Sequence, residues 1–92
     1  MIQSFADKET EDVFHRRFSR RFASIARAAF AKLVMIDSAR RIDDLMQPPG
    51  NRLEKLKGDR KGWWSIRIND QYRVTFRWDG KDAIDVAIVD YH

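Results

Sequence analysis

The stretch Trp64-Ser65-Ile66-Arg67-Ile68-Asn69-Asp70-Gln71-Tyr72-Arg73-Val74-Thr75-Phe76-Arg77-Trp78 decides the fold. Large apolar side chains occupy every second position, the period of a β-strand with one buried face. The polar trio Asn69-Asp70-Gln71 interrupts the pattern with residues that favour turns. Beyond a second turn around Asp79-Gly80, Ile84, Val86 and Ile88 alternate with Asp85, Ala87 and Val89 and predict a third strand. Parity then fixes the register. Residues directly opposed in an antiparallel pair share a face. Keeping Ile68 and Tyr72 on one face therefore requires a loop with an odd number of residues. With Asn69-Asp70-Gln71 as that loop, Ile68 opposes Tyr72, Ile66 opposes Val74 and Arg67 opposes Arg73. A two-residue loop would set Ile66 against Arg73 and mix the faces. Trp64, Ile66, Val74, Phe76, Ile84, Val86 and Ile88 are thus expected on the packed face. Arg67, Arg73, Thr75 and Arg77 form the other, and Tyr91 joins them by the same alternation.

Toward the N-terminus, Pro48-Pro49-Gly50 ends whatever precedes it, and the period there is helical. Asp7 is positioned as an N-cap, with Glu9, Glu11 and Asp12 near the positive end of the helix dipole. Val13, Phe14 and Phe18 form an apolar edge. Phe22, Ile25, Ala26, Ala29, Phe30, Leu33 and Ile36 then recur at three-and-four spacing, one stripe of an amphipathic helix, with Phe22, Phe30 and Leu33 expected in the core. Ser38 is expected to cap a short third helix that buries Ile42, Leu45 and Met46. Residues 1–5 suit a short strand. The expectation is one α+β domain over residues 1–92, with a short N-terminal strand and two to three helices on one face of a largely antiparallel sheet.

A chain of 92 residues supports one modest core and hardly a second. It contains no cysteine, which excludes a disulfide framework, a thiolate metal site and a cysteine nucleophile. The first residues lack a basic stretch followed by a long apolar run, so neither a signal peptide nor a membrane span is expected and a cytoplasmic location follows. The net charge is +4 and the isoelectric point is near 9.8. Arginine outnumbers lysine 12 to 6, and its planar fork matches phosphate bidentately where lysine offers a point charge. The arginine face, the cationic segment Lys55-Leu56-Lys57-Gly58-Asp59-Arg60-Lys61-Gly62 at its edge and an aromatic at the strand end point to RNA. The plain reading of the same arginines is a solvated face that discourages edge pairing. On either reading Arg73 is expected to be exposed and to contribute under about 1 kcal/mol to stability.

RNA can be cut by attack of its own 2′-hydroxyl on the adjacent phosphate, which needs a base, an acid and cations on the phosphoryl oxygens. Glu54, Asp90, Tyr91 and His92 are the proton-transfer candidates, and Lys57, Arg60 and Arg73 the cations. His15 lies among arginines on the first helix and reads as a surface residue. His92 is the final residue, where a frayed end is the plain alternative. No carboxylate or histidine cluster has metal spacing, and no phosphate-binding glycine loop or nucleophile–histidine–acid signature occurs, so no metal and no cofactor is expected.

Pro48-Pro49-Gly50-Asn51-Arg52-Leu53, Leu56-Lys57-Gly58-Asp59-Arg60, Trp64-Ser65-Ile66, Tyr72-Arg73-Val74-Thr75-Phe76 and the terminal Val89-Asp90-Tyr91-His92 resemble, in order and spacing, the HigB-like branch of the RelE/ParE toxin superfamily. The resemblance extends over nearly the whole chain. It implies the toxin of a bacterial toxin–antitoxin pair, which cleaves mRNA in the ribosomal A site without a metal. It also implies silencing by a HigA-like antitoxin, a helix-turn-helix protein through which alone the toxin meets operator DNA. Carried over by position, Lys57 and Arg73 neutralise the phosphate, and Asp90, Tyr91 and His92 hold mRNA and take part in proton transfer. Arg60, Arg67 and Arg77 join Glu54 and Asp90 as substrate-binding candidates. Some relatives have histidine where this chain has Glu54, which leaves open whether that carboxylate or His92 is the general base. Two other classes compete: a non-enzymatic toxin that binds DNA gyrase, as other superfamily members do, and a plain RNA-binding domain.

Overall fold

The computed structural model describes residues 1–91. Asp7 begins the first helix, α1 (Lys8–Phe14), and its carboxylate accepts from the backbone N–H of Thr10 at 2.7 Å, as an N-cap does. A turn of 3-10 helix, Ala23–Ile25, leads into α2 (Ala26–Ser38), whose Ala29, Leu33 and Ile36 are buried. Phe22, immediately before that turn, is sealed in the core. After Pro48-Pro49-Gly50 come four strands: β1 (Glu54–Lys55), β2 (Trp63–Arg67), β3 (Tyr72–Trp78) and β4 (Ala83–Asp90). They form an antiparallel sheet in the order β1-β2-β3-β4, and the helices pack on one face of it.

The register is the one parity requires. Ile66 opposes Val74 and Arg67 opposes Arg73. The Ile68 N–H donates to the Tyr72 carbonyl at 2.9 Å. The Asn69 carboxamide oxygen accepts from the N–H groups of Gln71 and Tyr72 at 2.9 and 2.7 Å and closes the three-residue loop. Ile66, Val74, Phe76, Val86 and Ile88 line the core face with Phe22 and Leu33. Residues 1–5 run beside β4 through two isolated parallel bridges, Ile2 to Ala83 and Phe5 to Val86. Further along, the Thr10 hydroxyl accepts from the Ile88 N–H at 3.0 Å. The outer edge of β4 is thereby occupied and gives little purchase for another strand.

Several expectations are corrected. Ile84 is not on the packed face. The register shifts between Thr75 and Arg77, so Arg77 pairs with Ile84 and Trp78 with Ala83. Asp85 sits there at φ 54°, and this bulge reverses the alternation and turns Ala83 inward in place of Ile84. Trp64 and Phe30 are only partly buried at the core margin. Phe18 is not on an apolar edge but 79% exposed, and Met46 is 58% exposed. Ser38 is the last residue of α2 and caps nothing. The 3-10 turn Ile42–Met46 is held by Asp44 instead, whose carboxylate accepts from the N–H groups of Arg40 and Arg41. Among the described residues no helix is long and apolar enough to cross a membrane.

Candidate functional site

The sheet face turned away from the helices is less open than a solvated arginine surface. Ser65 and Thr75 face each other across β2 and β3 and are both buried, and Arg73 beside them is only 8% exposed. The burial has a nonlocal cause. The Arg52 residue adopts a left-handed conformation, φ 45°, at the end of a 3-10 turn (Pro49–Asn51). Its carbonyl accepts from the Arg73 guanidinium at 2.6 Å, while Arg73 Nε donates to Ser65 Oγ at 3.0 Å. The Tyr91 ring lies against the same guanidinium, 5.5 Å from its carbon to the ring centroid. The expectation of an exposed Arg73 was therefore wrong, whereas its placement on the face opposite the helices was right.

The turn that carries Arg52 is itself anchored. Asn51 is fully buried. Its amide donates to the carbonyls of Leu45 and Gln47, both at 3.2 Å, and its oxygen accepts from Lys32 Nζ at 2.6 Å. Burial, with a smaller contribution from the positive charge of Arg67, pulls the Lys32 ammonium below the usual lysine range.

A cleft of about 350 Å³ opens over this face. Leu56, Lys57 and Arg60 form one wall, Val89, Asp90 and Tyr91 the other, and Thr75 lies between them. Lys57 makes no hydrogen bond or ion pair among the described residues, so its ammonium is available to an anion. The Arg60 guanidinium stacks 4.7 Å from the centroid of the Trp63 ring at the cleft edge. The Asp90 carboxylate accepts from the Gln71 side chain at 3.0 Å. Lys57, Arg60, Asp90 and Tyr91 are thus brought together, with Arg73 directly behind the Tyr91 ring.

The other candidates stand apart from the cleft. Glu54 is exposed on β1, opposite Ser65. Arg67 is tied to Asp70 by an ion pair at the loop, and Arg77 lies 3.9 Å from Asp85. His92 lies outside the described residues. His15 is exposed on the helix side, its ring edge-on to Phe14. A broader groove of about 700 Å³ between the helices is lined by Val13, Phe18, Phe30, Arg16, Arg17 and Arg27, among others. Its lining contains no acid, tyrosine or histidine, so it does not provide the groups proton transfer requires. Sequence reasoning missed the roles of Ser65, Arg52 and Asn51. The one local signal was that Ser65 and Thr75, directly opposed by parity, are hydroxyl residues in a row otherwise occupied by charge. Among the described residues no cluster of three or more histidines or carboxylates is arranged to hold a metal ion.

A small antiparallel sheet backed by two helices, with a cationic cleft on its far face, defines a RelE-type toxin fold. The chain superimposes on a structure of the YoeB–YefM complex from Staphylococcus aureus with a TM-score of 0.61 and 22% identity, over 100% of this chain and 98% of that one. Residues 3–92 match the HigB-like toxin family, described as RelE-like toxins of type II toxin–antitoxin systems, and the chain belongs to that family. It is 45% identical to Toxin HigB-1 of Vibrio cholerae over 80 residues, covering 85% of this chain and 84% of that protein. It is 39% identical to Endoribonuclease HigB of Proteus vulgaris over 61 residues, 66% of this chain and 65% of that protein.

Proposed function

We propose that this toxin is a ribosome-dependent endoribonuclease, and that the cleft between residues 56–60 and the end of β4 is where it holds mRNA. The observation that carries the reading is the convergence of Lys57, Arg60 and Tyr91 on one cleft, with Arg73 fixed behind the tyrosine. Family membership and the endoribonuclease relative agree with it.

The reaction is written with RNA supplying its own nucleophile. The 2′-oxygen bonds to the adjacent phosphorus as its proton passes to a base, and the bond from phosphorus to the 5′-oxygen breaks as that oxygen takes a proton from an acid. The products are a 2′,3′-cyclic phosphate, which opens to a 3′-phosphate, and a 5′-hydroxyl. Lys57 and Arg73 stabilise the charge that grows on the phosphoryl oxygens. Tyr91 stacks on a base or ribose at the cleft wall and, with His92 next in the chain, supplies proton transfer. Histidine exchanges protons near neutrality, and Glu54, at the position where some relatives carry histidine, is the competing base. Asp90 and Arg60 hold the strand within the cleft, while Glu54, Arg67 and Arg77 meet flanking RNA on the same sheet face. A HigA-like helix-turn-helix antitoxin silences the toxin and carries it to operator DNA, and the site of action is the cytoplasmic ribosome.

Adding the purified protein to translating ribosomes and mapping mRNA 5′ ends tests the reading. Cuts within ribosome-protected codons that disappear with Lys57→Ala are expected. Intact mRNA, with DNA gyrase inhibited instead, would assign the chain to the gyrase-binding class. RNA retention without cuts would assign it to the plain RNA-binding class.

A further inference from the structure

Thr75 is only 3% exposed, yet it lines the cleft. Its hydroxyl makes no hydrogen bond among the described residues. No side-chain oxygen or nitrogen there is both sealed from solvent and without a partner. The Thr75 oxygen therefore keeps access to the outside, and the space Thr75 lines is the cleft. A threonine at a buried mid-strand position is normally satisfied by the backbone or by a neighbouring side chain. This one is left free between Lys57, Arg60, Asp90 and Tyr91. Its cross-strand partner Ser65 is also buried, but its oxygen has a partner, accepting from Arg73 Nε at 3.0 Å.

We infer that Thr75 is the polar floor of the cleft and donates its hydroxyl proton to a phosphoryl oxygen of the RNA, while Ser65, buried opposite it across the strands, acts as a positioning residue for Arg73. The inference rests on the cleft being the RNA site. A phosphoryl oxygen is the group that suits Thr75, because Lys57 in the same cleft and Arg73, two residues away on the same face of β3 and behind the Tyr91 ring, both attract negative charge. A neutral donor beside them adds a directed bond without adding repulsion. Ser65 acts through geometry. Its oxygen and the Arg52 carbonyl take up one edge of the Arg73 fork, so the donors that remain are held in one orientation rather than sweeping through rotamers. Asn51 keeps the Arg52 carbonyl in place from below.

Thr75→Val tests the donor, since valine keeps the shape and the strand preference and removes only the hydroxyl. Losing a hydrogen bond to a charged group is expected to slow single-turnover cleavage on mRNA-programmed ribosomes about tenfold or more. The ribosome concentration giving half-maximal rate and the melting temperature should hardly change. Thr75→Ser, which keeps the hydroxyl, should return most of the rate. A Thr75→Val protein that cuts within about twofold of the unsubstituted one, or a Thr75→Ser protein as slow as Thr75→Val, overturns the donor role. For Ser65, the Ser65→Ala substitution should slow cleavage in the native background but have no further effect in an Arg73→Lys background, because lysine has no Nε–H to hold. An equal loss in both backgrounds would show that Ser65 only supports packing and would overturn its positioning role. If Lys57→Ala is silent as well, the cleft is not the RNA site and the inference falls with it. If Lys57→Ala is slow while Thr75→Val is not, the floor alone is wrong.

Discussion

Replacing Arg73 with alanine should damage both the fold and the reaction, and the structure sets the scale of each. The guanidinium satisfies Ser65 Oγ at 3.0 Å and the Arg52 carbonyl at 2.6 Å, and it stacks on Tyr91 at 5.5 Å. Removing it strands the buried Ser65 hydroxyl and the part-buried Arg52 carbonyl, at about 1–3 kcal/mol each when no solvent reaches them. The adjacent cleft admits water, which draws both toward the low end of that range. An exposed cation–π contact adds only about 0.5–1 kcal/mol. Acting the other way, a cation held at 8% exposure with no carboxylate partner among the described residues is itself costly to keep, and its removal relieves part of that cost. The net loss should be about 1–3 kcal/mol, well above the effect of an arginine on an open surface. Urea unfolding followed by tryptophan fluorescence measures it as a lower midpoint at unchanged slope. Cleavage should fall by about a hundredfold or more, the scale for losing one preorganised group at developing charge. Arg73→Lys should regain little of either, because an ammonium on a flexible stem does not reproduce the planar Nε–Nη2 edge that meets Ser65 and Arg52. An Arg73→Ala protein within about 0.5 kcal/mol of the native stability would refute the packing argument, since that is the ordinary scatter of surface substitutions.

Other consequences follow from the same geometry. Asn51→Ala removes the hydrogen bonds of a sealed side chain to the Leu45 and Gln47 carbonyls and from Lys32, and should lower stability by about 2–4 kcal/mol in the same urea experiment. Lys57→Ala, whose ammonium has no partner among the described residues, should leave the urea midpoint unchanged while cleavage drops at least tenfold. Acid should destabilise the fold in a defined window. Arg17 foremost, with Lys8, holds the Asp12 carboxyl below its usual range, and backbone N–H groups do the same for Asp44 and Asp79. Each depressed carboxylate contributes stability that is fully present above its unfolded value near pH 4 and lost as pH falls through the lower folded value. The melting temperature should therefore hold steady from neutrality to about pH 5 and decline below about pH 4. Asp44→Asn should shallow that decline.

The sheet was legible because its determinants are local. Parity alone, with Asn69-Asp70-Gln71 as the loop, placed Ile66 against Val74 and Arg67 against Arg73, and it put Tyr91 on the arginine face. The N-cap at Asp7 was equally plain, since cap chemistry is read within four residues. The bulge at Asp85 was not legible, because a left-handed aspartate has no compositional mark where glycine would have had one. The two-residue strand Glu54–Lys55 was missed because so short a segment carries no period. Arg73 was misjudged for a third reason. What covers it is the carbonyl of Arg52, 21 residues earlier in the chain, and the ring of Tyr91, and neither leaves a trace in the alternation of β3. The cleft inherits that limit. The sequence pattern placed the charged face, but the closing of residues 56–60 toward the end of β4, and the selection of Lys57 and Arg60 over Arg67 and Arg77, are tertiary outcomes.

The chemistry of the cut ends tests the central claim most directly. Translating ribosomes are incubated with the purified toxin, and the upstream and downstream mRNA fragments are analysed for their terminal groups, with Lys57→Ala as the control. Attack by the 2′-hydroxyl predicts a 2′,3′-cyclic phosphate or 3′-phosphate on the upstream fragment and a 5′-hydroxyl on the downstream one, with both absent from the control. A 5′-phosphate on the downstream fragment, the usual mark of a metal-activated water, would contradict the account.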